Sequence, residues 1–312
     1  MLSRVADTIY WLARYMERTR AMLQVIRIHY HTSQDSPAEF SWRPLLSSYG
    51  SRTPDELSSN EGDTTWVLDH LILDRENAAS VYNNVLQARE NARAAQDHIT
   101  REVWQCLNDF YHAIRGTEIA QQVRQGDPVS GIDTLMRHSL VFTGAVQSTM
   151  PRDEGYGYLA LGKLLERALQ TTDILRIKWA SFGDARQPAP EPHQLRNLLH
   201  ARFGHELYLK TYRGNFNADS VLQFMLHNPY FTHSLYSCLH QLTWYFERLR
   251  PDSLPESYEK LEFMIGRLTN HVRYSTVAAA EPEQLNRFLL ETRQELLDIT
   301  GAFGNYYFGR SY

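Results

Sequence analysis

"YWLARYMERTR", Tyr10 to Arg20, carries the helical reading of the chain. Leu12, Met16, Thr19, Leu23 and Ile26 recur through and beyond it at three- and four-residue intervals, the spacing of one α-helical face. Glu17 and Arg18 interrupt the pattern. At about 100° per residue Glu17 lies off the apolar stripe, beside Tyr10, Ala13 and Ala21. A helix with small residues on one side and large apolar ones on the other is expected to be covered on both. Glu17 should then sit at a contact between helices and need a partner, because an unpaired buried carboxylate is costly.

The pattern returns in "LALGKLLERAL", residues 159–169, where an offset of 149 sets Glu17-Arg18 on Glu166-Arg167 and Ala13 on Gly162. Leu161, Leu165, Ala168, Thr172 and Leu175 repeat the stripe. A second block, "RPLLSSYG" from Arg43 and "RNLLHARFG" from Arg196, keeps an offset of 153, the extra residues falling in the Pro-rich loops "SQDSPAEFSW" and "GDARQPAPEPHQL". There insertions cost least. A third, "VLDHLILDRENAASVY" from Val67 and "VLQFMLHNPYFTHSLY" from Val221, keeps an offset of 154 and pairs Asp74 with Asn228, Ser80 with Ser234 and Tyr82 with Tyr236. Three blocks in one order at nearly constant offset point to a duplicated unit.

Further helical patterns cover about 78–115, 132–148, 230–249, 255–275 and 283–305, punctuated by stretches such as "RQGDPVSG". No alternating strand with a hairpin signal competes. The expected fold is all-α: a helical bundle built from two internally duplicated halves, residues 1–147 and 148–312, within a single domain.

Composition limits the function. The 312 residues are 43% hydrophobic and 22% charged, with a formal net charge of −4, ordinary for a soluble globular protein. Basic and acidic residues are mixed throughout, so nucleic acid is not an expected partner. No apolar run nears the roughly 20 residues that span a bilayer. The start lacks the apolar core and cleavage site of a signal peptide. Cys106 and Cys238 stand far apart without metal-ligand spacing, which fits buried thiols in the cytoplasm.

The stretches "LSRVADTIYWLARYMER" at the N-terminus, "ARENAR" at 88–93 followed by "REVWQCLN", and "LGKLLERA" at 161–168 resemble the alpha-E domain family, helical bacterial proteins of unsettled function. The resemblance spans essentially the whole chain. Two departures stand out. The family's Asp-x-x-Asn-Pro-x-Ser appears here as Asp74, Asn77, Ala78 and Ser80, and its Phe-Pro-Arg-Ser as Phe231, Thr232, His233 and Ser234. A role resting on that arginine has no carrier in this chain. The resemblance implies an association with ATP-grasp ligase-like and transglutaminase-like proteins, and so with peptide or amide synthesis and modification.

Glu17 and Glu166 are the candidate acid/base carboxylates, but a shared packing need explains a feature kept in both copies, and the structural ion-pair reading is preferred. The unrepeated feature is "ARENAR". Arg89 and Arg93 share a helix face with Glu90 and Asn91 adjacent, a set suited to a carboxylate or phosphate, a peptide terminus included. The alternative is that the arginines pair with Glu17 or Glu166. No cofactor or metal is expected: "HYH" at His29–His31 has i, i+2 spacing, which turns the two rings apart on a helix, and Glu-x-x-His is missing. Walker, GxGxxG and GxSxG signatures are missing as well. The aromatic run "GNYYFGRSY" ending at Tyr312 reads as a docking tail or a packed helix end.

Two functional readings follow. The first is a non-catalytic cytoplasmic subunit that binds a ligase-like or peptidase-like protein or their peptide, alone or as a homo-oligomer. The second is an enzyme of amide chemistry using Glu17 and Glu166 beside Arg89 and Arg93. An open pocket at those four residues would favour the second, a packed interface the first.

Overall fold

The computed structural model describes residues 1–35, 40–180, 191–213, 215–250 and 255–308. Much of the two Pro-rich loops and the last four residues of the aromatic tail lie outside them. The described residues form fifteen α-helices and no strand, an all-α fold. They fall into two compact units: a central one, Trp11–Tyr156, and a terminal one made of Met1–Tyr10 with Gly157–Tyr312.

The central unit holds most of α1 (Ser3–Asp35), then α2 (Arg43–Tyr49), α3 (Pro54–Asn60), α4 (Thr64–Ile72), α5 (Val81–Ala94), α6 (Arg101–Arg115), α7 (Thr117–Arg124) and α8 (Pro128–Thr149). Local chemistry starts these helices. Thr53 and Glu56 form a reciprocal capping box, Asp63, Ser80, Thr100 and Asp127 each accept an N-terminal N–H, and Pro128 occupies the first turn where its missing N–H costs nothing. Val103, Leu107, Phe110 and Ile114 of α6 are buried, and α6 packs against α5, α7 and α8.

The helical run expected over 78–115 is two helices. Ile99 is extended, and Thr100 caps α6 by accepting from the Val103 N–H at 3.4 Å. "QDHIT" carries the turn-forming residues that break the run.

The terminal unit comprises α9 (Glu154–Ala180, from Gly157 on), α10 (Pro192–Ala201), α11 (His205–Tyr212), α12 (Ala218–His227), α13 (Leu235–Glu247), α14 (Glu256–Arg273), α15 (Pro282–Ala302) and a π-turn, Phe303–Tyr307. Its core joins α13, α14, α15 and the π-turn. Phe246 of α13 stacks on Tyr258 of α14 at 4.7 Å, and Phe303 lies 5.4 Å from Tyr10. Helix α9 buries residues on every side, including Leu161, Leu164, Leu165, Ala168 and Leu169. The polar members Glu166, Arg167, Gln170 and Thr171 are buried along with them. Gly162 allows the tightest contact, since a Cβ there would collide with the Tyr10 carbonyl oxygen of α1. The small residue one turn before Glu166 does admit a neighbouring helix at close range.

The two turns of the third sequence block share their local geometry. Between α4 and α5, Asp74 Oδ1 accepts the Glu76 N–H at 2.9 Å and Ser80 Oγ accepts the Asn83 N–H at 3.2 Å. Between α12 and α13, Asn228 Oδ1 accepts the Tyr230 N–H at 2.9 Å and Ser234 Oγ the Ser237 N–H at 3.0 Å. Both serines also donate their own N–H to the carbonyl three residues back, Asn77 and Phe231.

Candidate functional site

The Glu166-Arg167 dipeptide lies in the buried middle of α9, with the two residues only 1% and 7% exposed. Helical spacing puts Arg167 and Thr171 on one face, and that face holds the turn before α13. Arg167 Nη1 donates to the Thr232 carbonyl at 3.2 Å, and Thr171 Oγ1 donates to the His233 carbonyl at 2.9 Å. Arg202, 1% exposed at the end of α10, adds bonds from Nη2 to the Arg167 carbonyl at 3.3 Å and to Thr171 Oγ1 at 3.1 Å. Glu166 Oε1 accepts from Gln170 Nε2 at 3.1 Å, one turn along the same helix. Phe203, next to Arg202, takes the left-handed conformation at φ 59° and sits 5.6 Å from the His233 ring. Such a backbone persists only where its surroundings over-determine it.

These bonds make a crosslink. The buried carbonyl at 233 would be costly unpaired, and Thr171 satisfies it, while Arg167 holds the partly buried carbonyl at 232. The turn so held is the one that departs from Phe-Pro-Arg-Ser. Where the arginine of that pattern would stand, His233 supplies its backbone oxygen, and Arg202 and Arg167 bring the guanidiniums.

Glu17, 6% exposed, belongs to α1 in the central unit and Glu166 to the terminal one. Arg89, Glu90 and Arg93 do meet on α5. Arg89 Nε donates to Asn108 Oδ1 at 2.7 Å, its Nη1 meets Glu90 Oε1 at 3.0 Å, and its guanidinium stacks 4.5 Å from the Tyr111 ring and 5.5 Å from Trp104. Arg93, more exposed, reaches the other oxygen, Glu90 Oε2. The acid partner of both arginines is therefore Glu90, one helix turn away or less, and not Glu17. Asn91 is half-buried and is not a partner of either arginine.

The residues that sequence reasoning missed have readable signals in part. Trp104 and Asn108 belong to "REVWQCLN", on the helix that follows "ARENAR", and their task is to seat Arg89. A third Glu-Arg dipeptide, Glu247-Arg248, is exposed, with Arg248 stacked 4.6 Å from Trp244. Only burial separates it from the other two. Asp74 also bonds His70 Nδ1 at 2.8 Å; burial pushes its pKa up, but the Glu76 N–H, His70 and Arg52 outweigh this and hold it below the usual carboxylate range. His29 Nδ1 bonds the Val25 carbonyl, and no group of three His, Cys, Asp or Glu among the described residues is placed to hold a metal ion. Of the two cysteines only Cys238 is fully buried, and its Sγ donates to the Thr232 carbonyl at 3.6 Å. No helix among the described residues is long and apolar enough to cross a membrane.

The Alpha-E family, described as "a predicted alpha-helical domain with a conserved ER motif", matches residues 1–308. The chain belongs to the Alpha-E family. Within this Alpha-E chain, Glu17-Arg18 and Glu166-Arg167 are the Glu-Arg dipeptides with a buried glutamate. An uncharacterized protein of Mycobacterium bovis is 26% identical over 323 residues, covering 95% of this chain and 34% of the relative. Uncharacterized proteins of Mycobacterium tuberculosis match to the same extent at 26% and 25% identity. The Alpha-E chain thus spans about a third of the length of these curated relatives. No solved structure matches it.

Proposed function

We propose that this Alpha-E chain is a non-catalytic helical binding subunit that works in the bacterial cytoplasm with an ATP-grasp-type ligase or a transglutaminase-like peptidase in peptide or amide synthesis or modification. The observation that carries the non-catalytic part is the burial of Glu166-Arg167 and its use as a crosslink. A general acid or base must reach a substrate proton, and a carboxylate 1% exposed beside Gln170 is built for packing. The partner class rests on the family resemblance. A match confined to about a third of each mycobacterial relative supports a module that operates joined to, or alongside, other domains.

We further infer that the two halves arose by duplication. Asp74 and Asn228, Glu76 and Tyr230, and Ser80 and Ser234 make the same turn bonds at the one offset of 154 residues.

The test is purification of the tagged chain from its native cell, followed by reconstitution with the purified partner. The expected result is stoichiometric co-elution with an ATP-grasp-type or transglutaminase-like protein. Turnover of an amide substrate by the chain alone, abolished by Glu166→Gln at unchanged thermal stability, would overturn the reading.

A further inference from the structure

The end of α14 and the start of α15 enclose a groove of about 410 Å³, within the range of small-ligand sites. Its lining includes His271, Tyr274, Gln284, Arg287, Phe288 and Glu291. His271 stacks on the buried Phe288 at 5.3 Å and 18°, which makes a flat, aromatic floor. Tyr274, 69% exposed, offers a further ring at the side.

Two opposite charges stand on this wall. Arg287 and Glu291 are four residues apart and share a face of α15. Among the described residues neither forms an ion pair or a side-chain hydrogen bond. Their order along the helix, cation before acid, is the less favourable one for pairing with each other. Two other charges of α15 are matched: Arg293 bonds Asp173 at 2.6 Å and Glu295 bonds Arg267 at 3.0 Å. The groove therefore presents an unmatched cation and an unmatched anion flanking apolar surface.

The geometry points to a short zwitterionic peptide as the ligand. We assign its carboxylate to Arg287, which can meet it with two parallel N–H bonds, and its ammonium to Glu291. Four helical residues advance about 6 Å, and two extended peptide residues span about 7 Å, so a dipeptide fits the separation. An aromatic side chain of the ligand would lie against His271 and Tyr274. A neighbouring hollow of about 520 Å³ shares Gln284 and Arg287 and is edged by Glu281 and Glu283. Those acids repel a second anionic group, which restricts the ligand to one carboxylate.

This inference extends the peptide-binding side of the proposed function and does not depend on the partner protein. Calorimetric titration with glycyl-phenylalanine tests it, alongside the N-acetylated and C-amidated forms. Saturable binding in the millimolar range is expected, weakened about tenfold by either cap, because each removes a charge-assisted contact. In Arg287→Gln the amide should no longer matter while acetylation still does, and in Glu291→Gln the reverse. Both positions are exposed on a helix, and unchanged thermal midpoints confirm the fold. Absence of saturable binding, or binding indifferent to both caps, overturns the assignment. Either result leaves the co-purification outcome standing on its own.

Discussion

Replacing Gly162 with Ala should destabilise the protein although alanine is the better helix former. In an exposed helix the exchange stabilises by about 1 kcal/mol. At Gly162 the added methyl would run into the Tyr10 carbonyl oxygen, and both groups are backbone, so no side chain can swing aside. To restore an ordinary carbon–oxygen contact the two helices must separate by about 1 Å. Overpacking of a rigid contact costs about 3 kcal/mol at the upper end of its usual range, which leaves a net loss of roughly 2 kcal/mol. Gly144 of α8 and Gly266 of α14 are internal controls, because a Cβ at either meets nothing within 4 Å. Thermal and urea unfolding of the three alanine variants should lower the midpoint of Gly162→Ala by roughly 4 °C and raise or preserve the others. A Gly162→Ala protein as stable as its controls would refute the close approach, and with it the reason for a small residue before Glu166.

The remaining expectations concern single groups. Arg167→Met should cost about 2 kcal/mol by removing a buried, charged donor's bond to the Thr232 carbonyl, while Arg248→Met in the exposed Glu-Arg dipeptide should cost under about 0.5, both read by urea unfolding. Arg89→Lys keeps the charge but loses the bond to Asn108 and the stack on Tyr111, so it should lower the thermal midpoint even with no ligand present. Ser80→Ala and Ser234→Ala should each cost about 1 kcal/mol, in line with equivalent caps, and a large inequality would count against the duplication. Burial pushes the Lys178 ammonium down to about 8. Between pH 8 and its unfolded value the unfolded chain binds the extra proton, so stability should rise with pH, by about 1 kcal/mol from pH 8 to 9, and Lys178→Met should remove that rise.

The helices were legible because their signals are local. The stripe through Leu12, Met16 and Leu23 and its echo at Leu161 and Leu165 are buried as the 3.6-residue period requires. Caps such as Ser80 and Ser234 also sit beside the residues they bond. The break at 95–100 was obscured because apolar spacing continues across it, and only Thr100 marks the new start. The site was readable to the extent that Glu17 and Glu166 could be placed at buried positions. That Arg202 would join Arg167 and Thr171 was not, since 35 residues separate Arg202 from Arg167 and no spacing rule connects them. The partner of Arg89 and Arg93 was hidden in plain view. Glu90 lies between them, but rotamers alone decide whether it turns toward both.

Helix α1 is continuous from Ser3 to Asp35, yet its first residues complete the unit that otherwise begins at Gly157. During synthesis these residues precede the surface around Gly162 that Tyr10 must meet by about 150 residues. Until then Tyr10 has neither Phe303 nor α9 to cover it, while the central unit can already condense on the rest of the same helix. The start of α1 is thereby a clasp that closes only after the central unit has been made, and a fragment that omits those ten residues would leave the terminal unit unfinished however much of 157–308 it retains.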